Sequence, residues 1–159
     1  MTNDRQRTVA YGEFVDWPKR LEREGPLFRR LFEQAGVRSV LDVGAGTARH
    51  AIMFASWGLD VVAVDPDESM LEEAEENLRR FADEIGTGGG SVRLVRAGFG
   101  ELAARGLGHA DALISTGNAL PHVAGLDGLR EALGDFRAVV EPGALLVLHL
   151  LNHTKLLTT

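Results

Sequence analysis

The sequence predicts an α/β fold in which a parallel sheet carries helices on both faces, and three observations support that expectation. Short apolar runs of strand length alternate with stretches of helical periodicity, the pattern of successive β-α-β units. The run Val40-Leu41-Asp42-Val43 passes directly into the turn Gly44-Ala45-Gly46-Thr47, and that turn opens a helix. Two more apolar runs end on polar groups, Val61 to Asp65 and Ala112 to Thr116, so chemistry-bearing side chains collect at the strands' carboxyl ends. Ligands of open parallel sheets bind there, where the strand order reverses.

Residues 12–36 read as one or two helices, with Phe14, Val15, Trp17, Leu21, Leu27, Phe28, Leu31 and Phe32 apolar, Pro18 and Pro26 as starts and Gly36 as the stop. Strand one is Ser39 to Val43. The next helix sets Ala48, Ala51, Ile52 and Ala55 on one face and stops at Gly58. Strand two is Asp60 to Val64, closed by Asp65-Pro66. One helix then repeats Met70, Leu71, Ala74, Leu78, Phe81 and Ile85, with Glu75/Arg79 and Glu76/Arg80 paired on its wet side. Gly86 to Gly90 reads as a flexible loop rather than a phosphate cradle, because neither a Lys-Ser/Thr pair nor a helix follows it. Strand three is Ser91 to Arg96, and Gly98 to Arg105 reads as a short helix. Strand four, Ala110 to Ser115, leads into the polar loop Thr116 to Gly125. A helix with Leu126, Leu129, Leu133, Phe136 and Val140 on one side follows. Pro142-Gly143 then turns into strand five, Ala144 to Leu151, whose almost unbroken apolar run implies burial on both faces.

With 45% hydrophobic and 25% charged residues, the 159-residue chain fits one globular domain, residues 1–36 forming a helical lid and 37–159 the sheet. No apolar run approaches the roughly 18 residues of a membrane span, and MTNDRQRT is too polar for a secretory signal, so a cytoplasmic protein is expected. There is no cysteine, and the five histidines lack metal-ligand spacing, so no metal is expected. A net charge of -6 argues against a nucleic-acid partner and leaves a small molecule as the expected ligand.

A dinucleotide turn G-x-G-x-x-G places its third glycine where helix packs on strand, and that slot is Arg49. Asp42 would repel a pyrophosphate yet suits an amino-bearing ligand. A nicotinamide-dependent oxidoreductase is therefore the weaker alternative. The pattern D-x-G-x-G-x-A instead resembles motif I of class I S-adenosylmethionine-dependent methyltransferases. VLDVGAGTARHA, VVAVDPDESML, VRLVRAGFGEL, DALISTGNALPHV and EPGALLVLHLLN stand in the order of that family's motifs across roughly residues 11–155. Five ordered motifs are far more specific than one glycine turn. GNALPHV with a later strand ending in Leu-Asn is similar to the branch of glycine and sarcosine N-methyltransferases and related bacterial small-molecule enzymes.

The resemblance implies a Rossmann-like sheet of order 3-2-1-4-5, S-adenosylmethionine as cofactor, and methyl transfer to nitrogen or oxygen of a small molecule. It implies that Gly44, Ala45 and Gly46 lie against the cofactor and that Asp42 orients its ammonium group. Asp65 would hold the ribose hydroxyls, while Asp67 is the better helix cap. Pro66 and Met70 would wall the adenine beside Gly98 and Phe99, with Thr116 and Gly117 on the opposite loop. Asn118 and His122 are the expected catalytic groups on the acceptor side, and Trp17 and Arg20 the lid over the site. Four departures accompany these expectations. Ala48 replaces the third glycine of motif I and should crowd the cofactor by one methyl group. Gly98 replaces the acid often found after strand three, leaving the N–H and ring of Phe99 to hold the base. Leu151 precedes Asn152 where the glycine enzymes often carry arginine, so an amino-acid carboxylate lacks its partner. The family's hairpin of strands six and seven is missing before the chain stops at Thr159, which suggests either a truncated form or a homodimer through the strand-five edge or the tail Asn152 to Thr159. These departures motivate the other alternative, a non-catalytic cofactor-binding or interaction module.

Overall fold

The computed structural model describes residues 15–151, so Phe14 and the tail Asn152 to Thr159 lie outside the described residues. Strands β1 (Ser39–Val43), β2 (Asp60–Asp65), β3 (Ser91–Arg96), β4 (Ala110–Ser115) and β5 (Val140–Leu148) form one sheet of order β3-β2-β1-β4-β5. Every pairing is parallel, as expected, with Leu41 opposite Val62 on one side and Leu113 on the other.

Successive residues of a strand point to opposite faces, so each central strand feeds two cores. Val40, Val61, Ala63, Ala112 and Ile114 pack with α1 (Trp17–Ala35), α2 (Arg49–Ala55) and α3 (Glu68–Arg80). Leu41, Val43, Val64 and Leu113 pack with α5 (Gly125–Ala138) and with Leu102 and Leu107, which flank the 3-10 turn Ala103–Arg105. The sheet is tied at its amino end by Asp111, whose Oδ2 accepts from Arg38 N, Ser39 N and Ser39 Oγ at 2.9, 2.9 and 3.0 Å. These bonds hold the Asp111 carboxyl below its ordinary range.

Several elements depart from expectation, each for a local reason. Pro26 lies inside α1 and does not start a second helix. Its lost backbone donor is outweighed by the aromatic face beyond it, where Phe28 and Phe32 meet Phe54 at ring separations of 5.1 and 5.0 Å. The long helix expected over Met70 to Ile85 breaks at Phe81 into α3 and α4 (Ala82–Gly88). There the Arg49 and Arg80 guanidinium groups stand 4.3 and 5.6 Å from the Phe81 ring, and neither of the expected pairs, Glu75/Arg79 or Glu76/Arg80, is formed among the described residues. The glycine run is no flexible loop. A Cβ on Gly88 would overlap the backbone of Ser56, and one on Gly90 the carbonyls of Ala55 and Leu59, so these glycines allow α4 and β3 to approach the end of α2.

The expected short helix over Gly98 to Arg105 is reduced to the 3-10 turn. In α5 the buried positions are Ala132 and Phe136, followed by Val139, whereas Leu126 and Leu133 are exposed. Asp135 sets this rotation by accepting from Leu102 N and Ala103 N at 2.8 and 2.9 Å. Strand β5 begins at Val140 rather than Ala144 and carries an irregularity where Ala110 pairs Val140 but Ala112 pairs Leu145. It is not buried on both faces, because it is the sheet's edge and Leu146 is 48% exposed.

Candidate functional site

The turn after β1 is built from glycines in conformations other residues rarely adopt, φ 78° at Gly44 and 55° at Gly46. Gly44 N and Ala45 N donate to Val64 O at 2.8 and 2.9 Å, which fastens the turn to the end of β2. Asp65 completes the attachment, its Oδ2 accepting from Gly46 N at 2.8 Å and its Oδ1 from Asp67 N at 2.9 Å. Asp67 caps α3 by accepting from Ser69 N at 2.9 Å. Opposite, the loop after β4 comes so close that a Cβ on Gly44 would lie 2.6 Å from Ala119 Cβ.

Between the turn and this loop lies a cavity of about 500 Å³. Of the residues expected from the sequence, Gly44, Ala45, Gly46, Asp65, Pro66, Met70, Phe99, Thr116, Gly117 and His122 border it, as do Trp17 and Arg20 of α1. Asp42, Gly98 and Asn118 do not. Asn118 sits at φ 63° and its Oδ1 accepts from Leu151 N at 3.1 Å, fixing the chain just past β5. Gly98 N donates to Glu101 Oε2 at 2.7 Å. Ala48 also lies away from the cavity. Its methyl group is buried in the core beside α2 and its backbone is left-handed at φ 59°, so the departure from glycine costs roughly 1–2 kcal/mol of local strain and does not crowd a ligand.

Asp42 is wholly buried beneath the turn, and neither of its oxygens has a hydrogen-bond partner among the described residues. Thr47 Oγ1 and Ser115 Oγ are likewise buried and unpartnered there. Burial pushes the Asp42 carboxyl up to about 6, opposed by the charge of His50 and reinforced by that of Asp65. Burial also raises Asp65 above its ordinary range, against the pull of the Asp67 and Gly46 amides.

Two residues to which the sequence assigned no role, Glu24 and His50, join the site through the tertiary fold. His50 Nε2 lies 2.8 Å from Glu24 Oε2, while its Nδ1 lies 3.5 Å from Thr116 Oγ1 at the cavity wall. Arg20 Nε donates to both oxygens of Glu24 at 3.2 and 3.3 Å, and its guanidinium stands 5.2 Å from the Trp17 ring. The hydrogen bond from His50, with the Arg20 charge beside it, holds Glu24 at about 2 despite partial burial. His50 figures in the sequence only as part of the stretch VLDVGAGTARHA, with no role attached to it. Nothing near Glu24 marked its partner, 26 residues away.

The cavity thus combines the glycine turn, a carboxylate at the end of β2, apolar walls at Pro66, Met70 and Phe99, and a single Lys/Arg side chain, Arg20, in its lining, with one unpartnered acid, Asp42, buried beneath the turn. A ligand carrying an amine, a diol and a flat base fits this set.

Residues 40–143 match the family described as a methyltransferase domain. The glycine/sarcosine N-methyltransferase of Parasynechococcus marenigrum is 35% identical over 94% of this chain and 51% of its own length. The enzyme of the same name from Halorhodospira halochloris is 29% identical over 92% of this chain and 52% of its own. The chain therefore spans about half the length of these curated relatives. Among solved structures, the CcbJ methyltransferase from Streptomyces caelestis is similar at 27% identity, with a TM-score of 0.64 over 80% of this chain and 48% of that one. The PH0226 protein from Pyrococcus horikoshii shares the fold at a TM-score of 0.73 and 22% identity, over 90% of this chain and 62% of that one.

Proposed function

The chain belongs to the class I S-adenosylmethionine-dependent methyltransferases, and from that premise we propose that it binds S-adenosylmethionine in this cavity and moves the methyl group to a nitrogen or oxygen of a small acceptor. The observation that carries the proposal is Asp42, a buried carboxylate without a partner beneath the glycine turn. An ammonium group would satisfy it, and a phosphate would not.

In this reading the free lone pairs of Asp65 accept from the ribose hydroxyls, Pro66, Met70 and Phe99 enclose the base, and Arg20 is the cation available to a carboxylate. The cofactor, when bound, supplies an activated methyl group on a good leaving group, so the protein's task is alignment and exclusion of water. Trp17 and Arg20 of α1 cover the cavity, pinned by Glu24 and His50. On the acceptor side, His122 borders the cavity as the candidate base, and Asn118 holds the loop against the end of β5. No metal and no nucleic acid enters the scheme. The protein is proposed to act in the cytoplasm, and no described helix is long and apolar enough to cross a membrane. The exposed Leu146, Leu150 and Leu151 at the β5 edge are proposed to pair with a second copy.

Incubation with S-adenosylmethionine labelled in its methyl group and a panel of small amines, glycine, sarcosine and phenols tests the activity. Label is expected to move to one acceptor class. A protein that binds the cofactor and methylates none of them contradicts the catalytic proposal.

A further inference from the structure

Trp17, Arg20 and Glu24 follow one another on α1 at spacings of three and four residues, which puts them on one helix face. Trp17 and Arg20 border the cavity, whereas Glu24 stands behind them and does not. Arg20 uses only its Nε–H on Glu24, at 3.2 and 3.3 Å from the two carboxylate oxygens, and neither of its terminal nitrogens has a partner among the described residues. The Trp17 ring, centred 5.2 Å from the guanidinium carbon, supports the group from the side. Glu24 is fixed in turn by His50, whose Nε2 lies 2.8 Å from its Oε2. The His50 side chain is 4% exposed and packs among the rings of Trp17, Phe28 and Phe54. Glu24 is held at about 2 and is ionised, so the proton between them sits on the imidazole, which donates. The other nitrogen of the ring lies 3.5 Å from Thr116 Oγ1, so one buried side chain ties α1 to the loop after β4. Arg23, 3.7 Å from Glu24, is 79% exposed and adds little.

An arginine held through Nε keeps its two terminal nitrogens for a second carboxylate, and a guanidinium already oriented loses little freedom when it binds one. We propose that Glu24 and His50 are positioning residues for methyl transfer, which hold the Arg20 guanidinium at the cavity border so that its terminal nitrogens meet the carboxylate of the bound cofactor. The inference rests on the cofactor assignment above and goes beyond it by naming two residues that act through Arg20 rather than on the reacting atoms.

The test measures two ligands by calorimetry, S-adenosylhomocysteine and the analogue in which hydrogen replaces its carboxylate. The unmutated protein is expected to prefer the carboxylate compound by about tenfold or more, the range for a hydrogen bond to a charged group. Glu24→Ala is expected to cut that preference to within about threefold while the analogue binds as before, which also reports an intact fold. The direction is decisive. If Glu24 were only a neighbouring negative charge, it would repel the ligand carboxylate, and its removal would raise the preference. Glu24→Gln keeps an acceptor for Arg20 Nε and should retain most of the preference. His50→Gln, which sets an amide nitrogen near the place of Nε2, should retain it too, whereas His50→Ala should lose it. Glu24→Met, close to glutamate in length, serves the same comparison if the alanine variant does not fold. Failure of the unmutated protein to bind either compound overturns the cofactor assignment and this inference with it. Binding of both without preference, a preference unchanged or raised by loss of the Glu24 carboxylate, or equal weakening of both ligands overturns this inference alone.

Discussion

The centre of the sheet and its β5 edge are written in the same apolar alphabet but are finished differently. Val40, Val43, Val61 and Leu113 are at most 2% exposed, whereas Leu146 is 48% exposed and Leu133, on the helix leading into β5, 40%. The central strands have neighbours on both sides and helices on both faces. Strand β5 has one neighbour and borders an open groove lined by Leu133, Phe136 and Leu146. Hydropathy therefore reports what a strand can bury, while its place in the sheet decides what it does bury. The candidate site lies at the closed centre, where polar groups such as Asp42 are buried.

The comparison is broken most directly by cutting the cores. Phe54, fully buried between α1 and the sheet, is expected to cost about 3–5 kcal/mol on truncation to alanine, whereas Leu146→Ala at the edge should cost less than about 1 kcal/mol. Urea unfolding of both variants checks this, and comparable losses would show that the β5 edge is covered in solution.

A smaller effect is expected at the carboxyl end of β2. Asp65→Ala should weaken S-adenosylhomocysteine binding by about 1.5–3 kcal/mol in calorimetry while circular dichroism stays native. Unchanged affinity in the folded variant would remove Asp65 from the ribose assignment.

Asp42 sharpens the contrast through pH. Its carboxyl is raised from an ordinary value of 3.8 to about 6, so the unliganded protein is favoured with Asp42 protonated. That contribution is fully present below 3.8 and is lost as pH rises through about 6. Asp42→Asn is thus expected to stabilise the unliganded protein at pH 8 and to flatten this part of its stability profile. An ammonium partner would favour the ionised carboxylate, so ligand affinity should rise across the same window in the unmutated protein and not in Asp42→Asn. A pH-independent affinity would mean that Asp42 never meets the ligand.

The smallest effect is assigned to the edge itself. Leu146→Lys should leave stability nearly unchanged and lower self-association over a dilution series in light scattering. A monomer at every concentration, mutated or not, would show that the edge is tolerated unpaired.

The same contrast governs what could be read beforehand. β1, β3 and β4 were legible to the residue, because each apolar run is bounded by turn residues and the glycine turn fixes the chain's direction. The bordering residues Gly44 to Gly46, Asp65, Pro66 and Phe99 followed from position at strand ends. What failed needed partners distant in sequence. Leu126 and Leu133 fit a helical stripe as well as Ala132 and Phe136 do, and the bonds from Leu102 and Ala103 to Asp135 decided between them. Gly88 and Gly90 look like a linker until the Ser56 and Ala55 backbones are placed beside them. The Glu24–His50 pair, 26 residues apart, has no local signature at all.

The central claim is that the cavity under the glycine turn is built for S-adenosylmethionine. Calorimetric titration of the unmutated protein with S-adenosylhomocysteine, with NAD in parallel and Gly46→Val as control, tests it most directly. The left-handed φ of 55° at Gly46 disfavours a β-branched residue, and its side chain would project into the cavity toward Met70 Sδ. The account predicts saturable one-to-one binding of S-adenosylhomocysteine, none of NAD, and loss of the heat signal in Gly46→Val. Equal binding of NAD, or undiminished binding by the folded Gly46→Val protein, would contradict it.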